Sequence, residues 1–258
     1  MKADRPLLIY VPGMDGTGKL LRLQTKTLAA YCDVFCLSIP PDRLDNWEQL
    51  TKTALREIET ALEGKSRRYV YLCGESFGGC LALKIALAAP WLFQRLILVN
   101  PASCFNQRPL LGLGIGITRL LPDWLHGYSA LSLLPFLADL SRIAPLDRQS
   151  LLASMKSLPP QVVSWRLFLL QNFQVSSAEF SRLTLPTLII ASAADRLLPS
   201  ITEAQRLVKE IPNSKMVILP NSGHACLLET DVNLYHILDR QNFLELPIKQ
   251  RDRGFKVI

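Results

Sequence analysis

Tyr69-Val-Tyr-Leu-Cys-Gly-Glu-Ser-Phe-Gly-Gly79 sets a short apolar run against Gly74-x-Ser76-x-Gly78, and a long helical pattern follows. The reading is a strand, a sharp turn and a helix, with a serine at the apex of the turn. The turn forces the serine backbone into a strained conformation and leaves no room for a Cβ on either side, so the hydroxyl of Ser76 points outward. A hydroxyl is a weak nucleophile at neutral pH. The turn becomes a reactive site only if a base, and an acid to orient that base, arrive from elsewhere in the chain.

Outward from this turn, short β-rich runs alternate with helical patterns. Leu7–Val11 reads as a strand, Lys19–Ala30 as a helix, Asp33–Ile39 as a strand, and a helix begins at Trp47. That helix carries Leu50, Ala54, Ile58 and Leu62 on one stripe, is opened by Asn46 with Gln49 three residues on, and is closed by Gly64. Tyr69–Cys73 is the third strand, Phe77–Ala89 a nearly all-apolar helix, and Arg95–Asn100 the fourth strand. The alternation resumes with strand Thr187–Ser192, a helix from Ser200 to about Glu210 opened by a Ser200…Glu203 capping box, and strand Lys215–Leu219. Strands separated by helices predict a doubly wound, mostly parallel α/β sheet covered on both faces, with ligands bound at the carboxyl ends of the strands.

Residues 101–185 break this rhythm. They hold Leu-Leu-Gly-Leu-Gly-Ile-Gly-Ile at 110–117, prolines at 109, 122, 135, 145, 159 and 160, and Leu/Phe/Trp-rich helical segments such as Trp165–Phe173. The expectation is a core built from residues 1–100 and 186–258 with a helical cap from 101–185, inserted at the strand ends and forming an apolar substrate pocket. A helical subdomain that only packs is the other reading of the insertion. No internal repeat is visible.

Two later loops supply the missing partners. Thr187–Ser192 runs into Ala-Ala-Asp195, and Lys215–Leu219 runs into Pro-Asn-Ser-Gly-His224, so a carboxylate and an imidazole each sit just beyond a strand end. The order Ser76, Asp195, His224 is that of nucleophile-elbow hydrolases, and the other position where such an acid occurs is filled by Asn100-Pro101. Each signal alone is weak; ordered and placed together they predict that His224 takes the Ser76 proton while Asp195 orients the imidazole. The oxyanion then needs two backbone donors: the amide of Phe77, and that of Met14 in the glycine-rich exit of the first strand, Val11-Pro-Gly-Met-Asp-Gly-Thr-Gly18. Asp15 either shapes that loop or is a simple turn residue.

The same loop carries a rival from another class. Gly13-Met-Asp-Gly-Thr-Gly18-Lys19 fits the spacing of a phosphate-cradling loop, but Leu20 stands where a magnesium-bound nucleotide needs a hydroxyl. A non-catalytic ligand-binding module on the same fold is a second rival, one with little use for all three of Ser76, Asp195 and His224.

An apolar content of 49% supports a large core, and 29 basic against 22 acidic residues give +7, which favours anionic surfaces or ligands. The basic cluster Lys249–Lys256 reads as a solvated tail or a contact with acidic lipid or a partner. Without interleaved aromatics or a basic helix, nucleic-acid binding is not expected. His126, His224 and His236 lack paired spacing, so no metal site and no cofactor is expected. The six cysteines include no Cys-x-x-Cys pair, and Cys73 and Cys80 beside the turn read as packing residues. Met1-Lys-Ala-Asp-Arg-Pro6 leads straight into a strand-like run, and no apolar stretch reaches the roughly 18 residues of a membrane span. These features predict a cytoplasmic protein with reduced thiols and leave open a peripheral membrane contact. Nothing fixes the oligomeric state.

The motifs together resemble the α/β-hydrolase superfamily. Pro12–Gly18, Gly74–Gly79 with Leu81-Ala-Leu83, Asn100–Ser103, Asp195–Ser200, and Gly223-His224 followed by Leu227-Leu-Glu229 are similar to the hydrolase half of plant plastid phytyl ester synthases and their esterase, lipase and thioesterase relatives. The resemblance implies hydrolysis or transfer of acyl groups from lipid-like esters or thioesters without a cofactor, in a photosynthetic setting, with phytol, diacylglycerol or another lipid alcohol as acceptor. Those plant proteins carry a second, acyltransferase-like half after the hydrolase part. Its absence up to Ile258 implies hydrolysis first, with acyl transfer and chlorophyll dephytylation as alternatives.

Overall fold

The computed structural model describes residues 5–42, 44–63, 69–107 and 134–244. Gly64, the 110–117 run, Pro109, Pro122, His126 and the cluster at 249–256 lie outside the described residues.

Six parallel strands form one sheet in the order β2-β1-β3-β4-β5-β6. They are β1 (Leu7–Val11), β2 (Asp33–Cys36), β3 (Val70–Glu75), β4 (Arg95–Val99), β5 (Thr187–Ser192) and β6 (Ser214–Leu219). The inner strands are continuous apolar runs because both of their faces are covered, as in Leu7–Val11, where every residue is buried. Edge strands β2 and β6 keep exposed or half-exposed positions, including Asp33 and Lys215.

Among the described residues the helices that matter here are α1 (Arg22–Leu28), α2 (Trp47–Leu62), α3 (Phe77–Ala88), α4 (Pro145–Lys156), α5 (Pro160–Gln171), α6 (Ser177–Phe180), α7 (Ser200–Glu210) and α8 (Leu234–Arg240). Leu7, Ile9, Leu72, Leu96, Leu98 and Ile189 face α2, α3, α5 and α7 in one core. Leu8, Tyr10, Tyr71, Ile97, Val99, Leu188 and Ile190 face α1 and α8 in another. The alternation of neighbours along each strand is the two-residue period of the pleat, and it makes the sheet the middle layer of three.

Helix α2 begins where the sequence predicts. Asn46 Oδ1 accepts from the Gln49 amide at 3.0 Å and Gln49 Oε1 accepts from the Asn46 amide at 2.9 Å, while Leu50, Ala54 and Ile58 are buried. The expected helix Lys19–Ala30 divides into a 3-10 turn, Lys19–Leu21, and α1. Strand β2 ends at Cys36 rather than Ile39. Beyond it the chain follows the exit loop of β1, where the Ile39 amide donates to Gly16 O at 2.9 Å, so no strand remains beside it.

The capping box expected at Ser200…Glu203 does not form. Pro199 is the cap residue, and the Ser200 hydroxyl donates to Asp195 Oδ2 instead. A hydroxyl bond to a buried carboxylate outcompetes a bond to a neutral amide. Glu203 turns inward to Arg206, at 2.6 and 2.9 Å, and to the Ser103 hydroxyl.

Order reverses between β1 and β3, since the chain steps from β1 out to β2 and returns past it. In sheets of this kind ligands bind outside the carboxyl ends of the two strands where the order reverses, and here Met14 follows β1 and Ser76 follows β3.

Candidate active site

Ser76 joins β3 to α3 with φ 54° and ψ −117°. A residue with a Cβ is strained there, and the packing around it holds the strain. A Cβ on Gly78 would lie 2.2 Å from Val11 O, and one on Gly74 would lie 2.4 Å from Gly78 O. Only glycines let β1, β3 and α3 approach closely enough to present the serine.

His224 lies in the loop after β6 and is buried, with 4% of its surface exposed. Its Nε2 is 2.8 Å from Ser76 Oγ and its Nδ1 is 2.7 Å from Asp195 Oδ2. Asp195, in the loop after β5, accepts at Oδ1 from the Leu197 and Leu198 amides at 2.9 and 3.0 Å, and at Oδ2 also from Ser200. Three residues spread over 148 positions therefore meet at one edge of the sheet.

Burial alone would raise the Asp195 carboxyl, but attraction to His224 and the bonds from His224, Ser200 and Leu198 outweigh it and hold the group below the usual carboxylate range. Burial likewise opposes charge on His224, yet the Asp195 carboxylate and its hydrogen bond, with Glu75 behind them, lift the imidazole above its ordinary value of 6.5. Glu75 immediately precedes the serine. Burial raises its carboxyl to about 7, although the Tyr10 hydroxyl donates to it.

The loop after β1 closes against the serine: a Cβ on Gly13 would sit 3.7 Å from Ser76 Cβ. Within it the Gly16 amide donates to Gly13 O at 3.1 Å, and Asp15 accepts from the amide and hydroxyl of Thr17, so Asp15 shapes the turn. Neither the Met14 nor the Phe77 amide has an acceptor among the described residues. The two unused N–H groups belong to the residue that follows the serine and to the loop that closes against it, and donors of this kind beside an activated hydroxyl are what an oxyanion on an attacked carbon requires. Tyr10 and Glu75 border this site, and nothing in their spacing marks them.

Further contacts that spacing does not disclose hold the histidine loop. Asn100, buried with φ 42°, donates from Nδ2 to His224 O at 2.8 Å and Ser192 Oγ at 2.9 Å, and accepts from the Ser192 amide at 2.8 Å. Glu229 accepts from the Gly223 amide at 2.8 Å and from Arg142 Nε at 2.8 Å. Arg166, on α5, donates to Met14 O and, at 2.8 Å, to Ile39 O. Asn100 and Glu229 fall within strings quoted for the family resemblance; Arg166 carries no signal in the sequence.

Against known proteins, a model described as "Alpha/beta hydrolase family" matches residues 8–234. The chain is 31% identical over 258 residues to phytyl ester synthase 1, chloroplastic, of Arabidopsis thaliana, covering 91% of this chain but only 36% of that protein. It is 29% identical to a pimeloyl-[acyl-carrier protein] methyl ester esterase of Nitrosomonas europaea, covering 72% and 73% of the two chains. The solved structure of MenH from S. aureus superposes with a TM-score of 0.74 at 17% identity, covering 94% and 93%. The strand order, the serine turn and the length of the family match agree: this chain belongs to the α/β-hydrolase family.

Proposed function

We propose that the protein is a serine hydrolase of lipid-like esters or thioesters, acting through an acyl-enzyme, with Ser76 as nucleophile, His224 as base and acid, and Asp195 as the orienting carboxylate. The observation that carries this reading is the unbroken chain of hydrogen bonds Asp195–His224–Ser76, at 2.7 and 2.8 Å, beside two amides with no acceptor among the described residues.

In the proposed reaction, Ser76 Oγ bonds to the ester carbonyl carbon as its proton passes to His224 Nε2. The carbonyl π pair moves to oxygen, and the resulting oxyanion is held by the Phe77 and Met14 N–H groups. Asp195 stabilises the imidazolium without taking its proton. Collapse of the tetrahedral carbon breaks the bond to the leaving oxygen or sulfur, which departs with the His224 proton. Water then adds to the acyl carbon, again giving a proton to His224, and the free acid leaves as Ser76 regains its hydrogen.

Residues 101–185 are proposed as a cap over this edge of the sheet, and their apolar content suits a long acyl or prenyl chain. Acyl transfer to a lipid alcohol is the second reading, favoured by the match to phytyl ester synthase 1. The phosphate-loop rival is disfavoured by Asp15, whose side chain already takes the Thr17 amide that such a loop would offer to a phosphate.

A fluorophosphonate probe tests the mechanism: wild type is labelled on Ser76 and Ser76→Ala is not. Equal labelling of both would end this reading. Product analysis with an acyl donor, with and without phytol, then separates free acid from phytyl ester.

A further inference from the structure

Among the described residues Arg166 is the largest of the fully buried side chains, with none of its surface exposed. Among the described residues no carboxylate comes within salt-bridge distance of it, and its Nε has no hydrogen-bond partner. Burial pulls the guanidinium down to about 10, with Asp15 acting through space in the other direction, so it stays charged at neutral pH. A buried cation without a paired anion costs stability, and an apolar side chain of similar volume would pack at lower cost. The chain nevertheless directs this charge from α5, in the inserted segment, into the exit loop of β1.

The contacts are specific to the loop expected to hold an oxyanion. Nη1 donates to Met14 O and Nη2 donates to Ile39 O, while the Ile39 amide donates back to Gly16 O. The guanidinium lies against Gly16, where a Cβ would meet both terminal nitrogens at 2.7 Å. Gly16 has φ +69°, so its left-handed turn and its missing side chain both serve this contact. The guanidinium carbon also lies 5.9 Å from the ring centroid of Phe77, whose amide is the other expected donor. One side chain thus bonds to one of the two residues that would form the oxyanion hole and lies over the ring of the other.

We infer that Arg166 is a positioning residue for acyl transfer: from the inserted segment it fixes the β1 exit loop, and so the Met14 amide, in the orientation a tetrahedral oxyanion requires. This rests on the serine-hydrolase reading above. Donors fixed in advance contribute because they need no reorganisation when charge develops, so a loosened loop lowers turnover more than it weakens substrate binding.

Arg166→Lys and Arg166→Met test it, with every rate divided by the number of sites titrated by a fluorophosphonate run to completion. Misfolded protein lowers the titre and leaves the rate per site unchanged. With p-nitrophenyl butyrate, kcat per site should fall at least about 10-fold while KM stays within about twofold. Affinity for an alkyl trifluoromethyl ketone should fall in parallel, because its carbonyl oxygen becomes an oxyanion in the same hole when Ser76 adds to the carbon and passes its proton to His224. A kcat per site within about twofold of wild type in both variants, or an unchanged ketone affinity, overturns the inference. If Arg166→Met yields no titratable protein, Arg166→Lys, which keeps the charge and can keep one bond, decides alone. Failure of the serine-hydrolase reading would appear differently, as wild type unlabelled on Ser76, and would take this inference with it.

Discussion

His224 faces two carboxylates, Asp195 at hydrogen-bond distance and Glu75 through space, and both favour its protonated form. As a base it must be neutral, so kcat/KM should rise with pH through a midpoint above 6.5. Glu75, lifted to about 7 by burial, carries its charge over the upper part of that limb, and Glu75→Gln removes this charge, which favours the imidazolium. The imidazole then loses its proton more readily, and the ascending limb should move to lower pH; profiles of both proteins on a soluble ester between about pH 5 and 9 measure it. A limb that stays in place, or moves upward, would mean that the Glu75 charge does not hold the imidazole up. At this scale Ser76, Asp195 and His224 are legible in the sequence because each falls in a loop just beyond the end of a strand, the first between closely packed glycines. Ser200 misleads. Its spacing to Glu203 satisfies a local helix rule, but its hydroxyl serves a carboxylate five residues away, and only the folded loop brings the two together.

The bounds of β1 and β5 fall where the sequence places them, whereas inner strand β3 runs Val70–Glu75 in place of the expected Tyr69–Cys73, because its ladder with β4 continues to Glu75 beyond the apolar run, and β4 ends at Val99, one residue before Asn100. At the edge, Leu37-Ser-Ile39 keeps an alternating apolar pattern that reads as strand, but β1 beside it has already ended at Val11, before Pro12. Residue type alone marks Asn100 as the occupant of a position where an acid would be expected; the fold explains the amide. Its Nδ2 must donate to His224 O and Ser192 Oγ while Oδ1 accepts from the Ser192 amide, so one side chain ties β4 to β5 and to the histidine loop. Asp at this position keeps the acceptor and loses the donor, setting a buried carboxylate against the His224 carbonyl. Asn100→Asp should therefore destabilise by about 2–4 kcal/mol, read as a lower urea midpoint at unchanged slope. A midpoint equal to that of wild type would show that the amide donor contributes nothing.

At the scale of the whole molecule, segment 134–171 is joined to the loops around Ser76 and His224 by two arginines: Arg166 on the β1 exit loop, and Arg142 on the histidine loop. Neither junction is legible from sequence, since the partners lie 87 and 152 residues apart and an inserted segment follows no strand–helix rhythm. At the second junction the Arg142 and Ala225 amide contacts reinforce one another. Thr230 N donates to Arg142 O at 3.0 Å, Ala225 N to Leu137 O at 2.8 Å, and Ile143 forms an antiparallel bridge with Glu229. Arg142 meets two carboxylates of opposite circumstance: the Glu229 side chain is 0% exposed and that of Asp231 is 61% exposed. Solvent screens the Asp231 pair, so Asp231→Asn should change stability by less than about 1 kcal/mol. Glu229→Ala strands the Gly223 amide and removes the buried partner of Arg142, and should cost about 3–5 kcal/mol. Because Gly223 adjoins His224, the same variant should also lose kcat per titrated site, whereas Asp231→Asn should not. Urea unfolding together with active-site titration measures both effects, and comparable losses in the two variants would mean that exposure, rather than contact with the histidine loop, has been misjudged as the deciding factor.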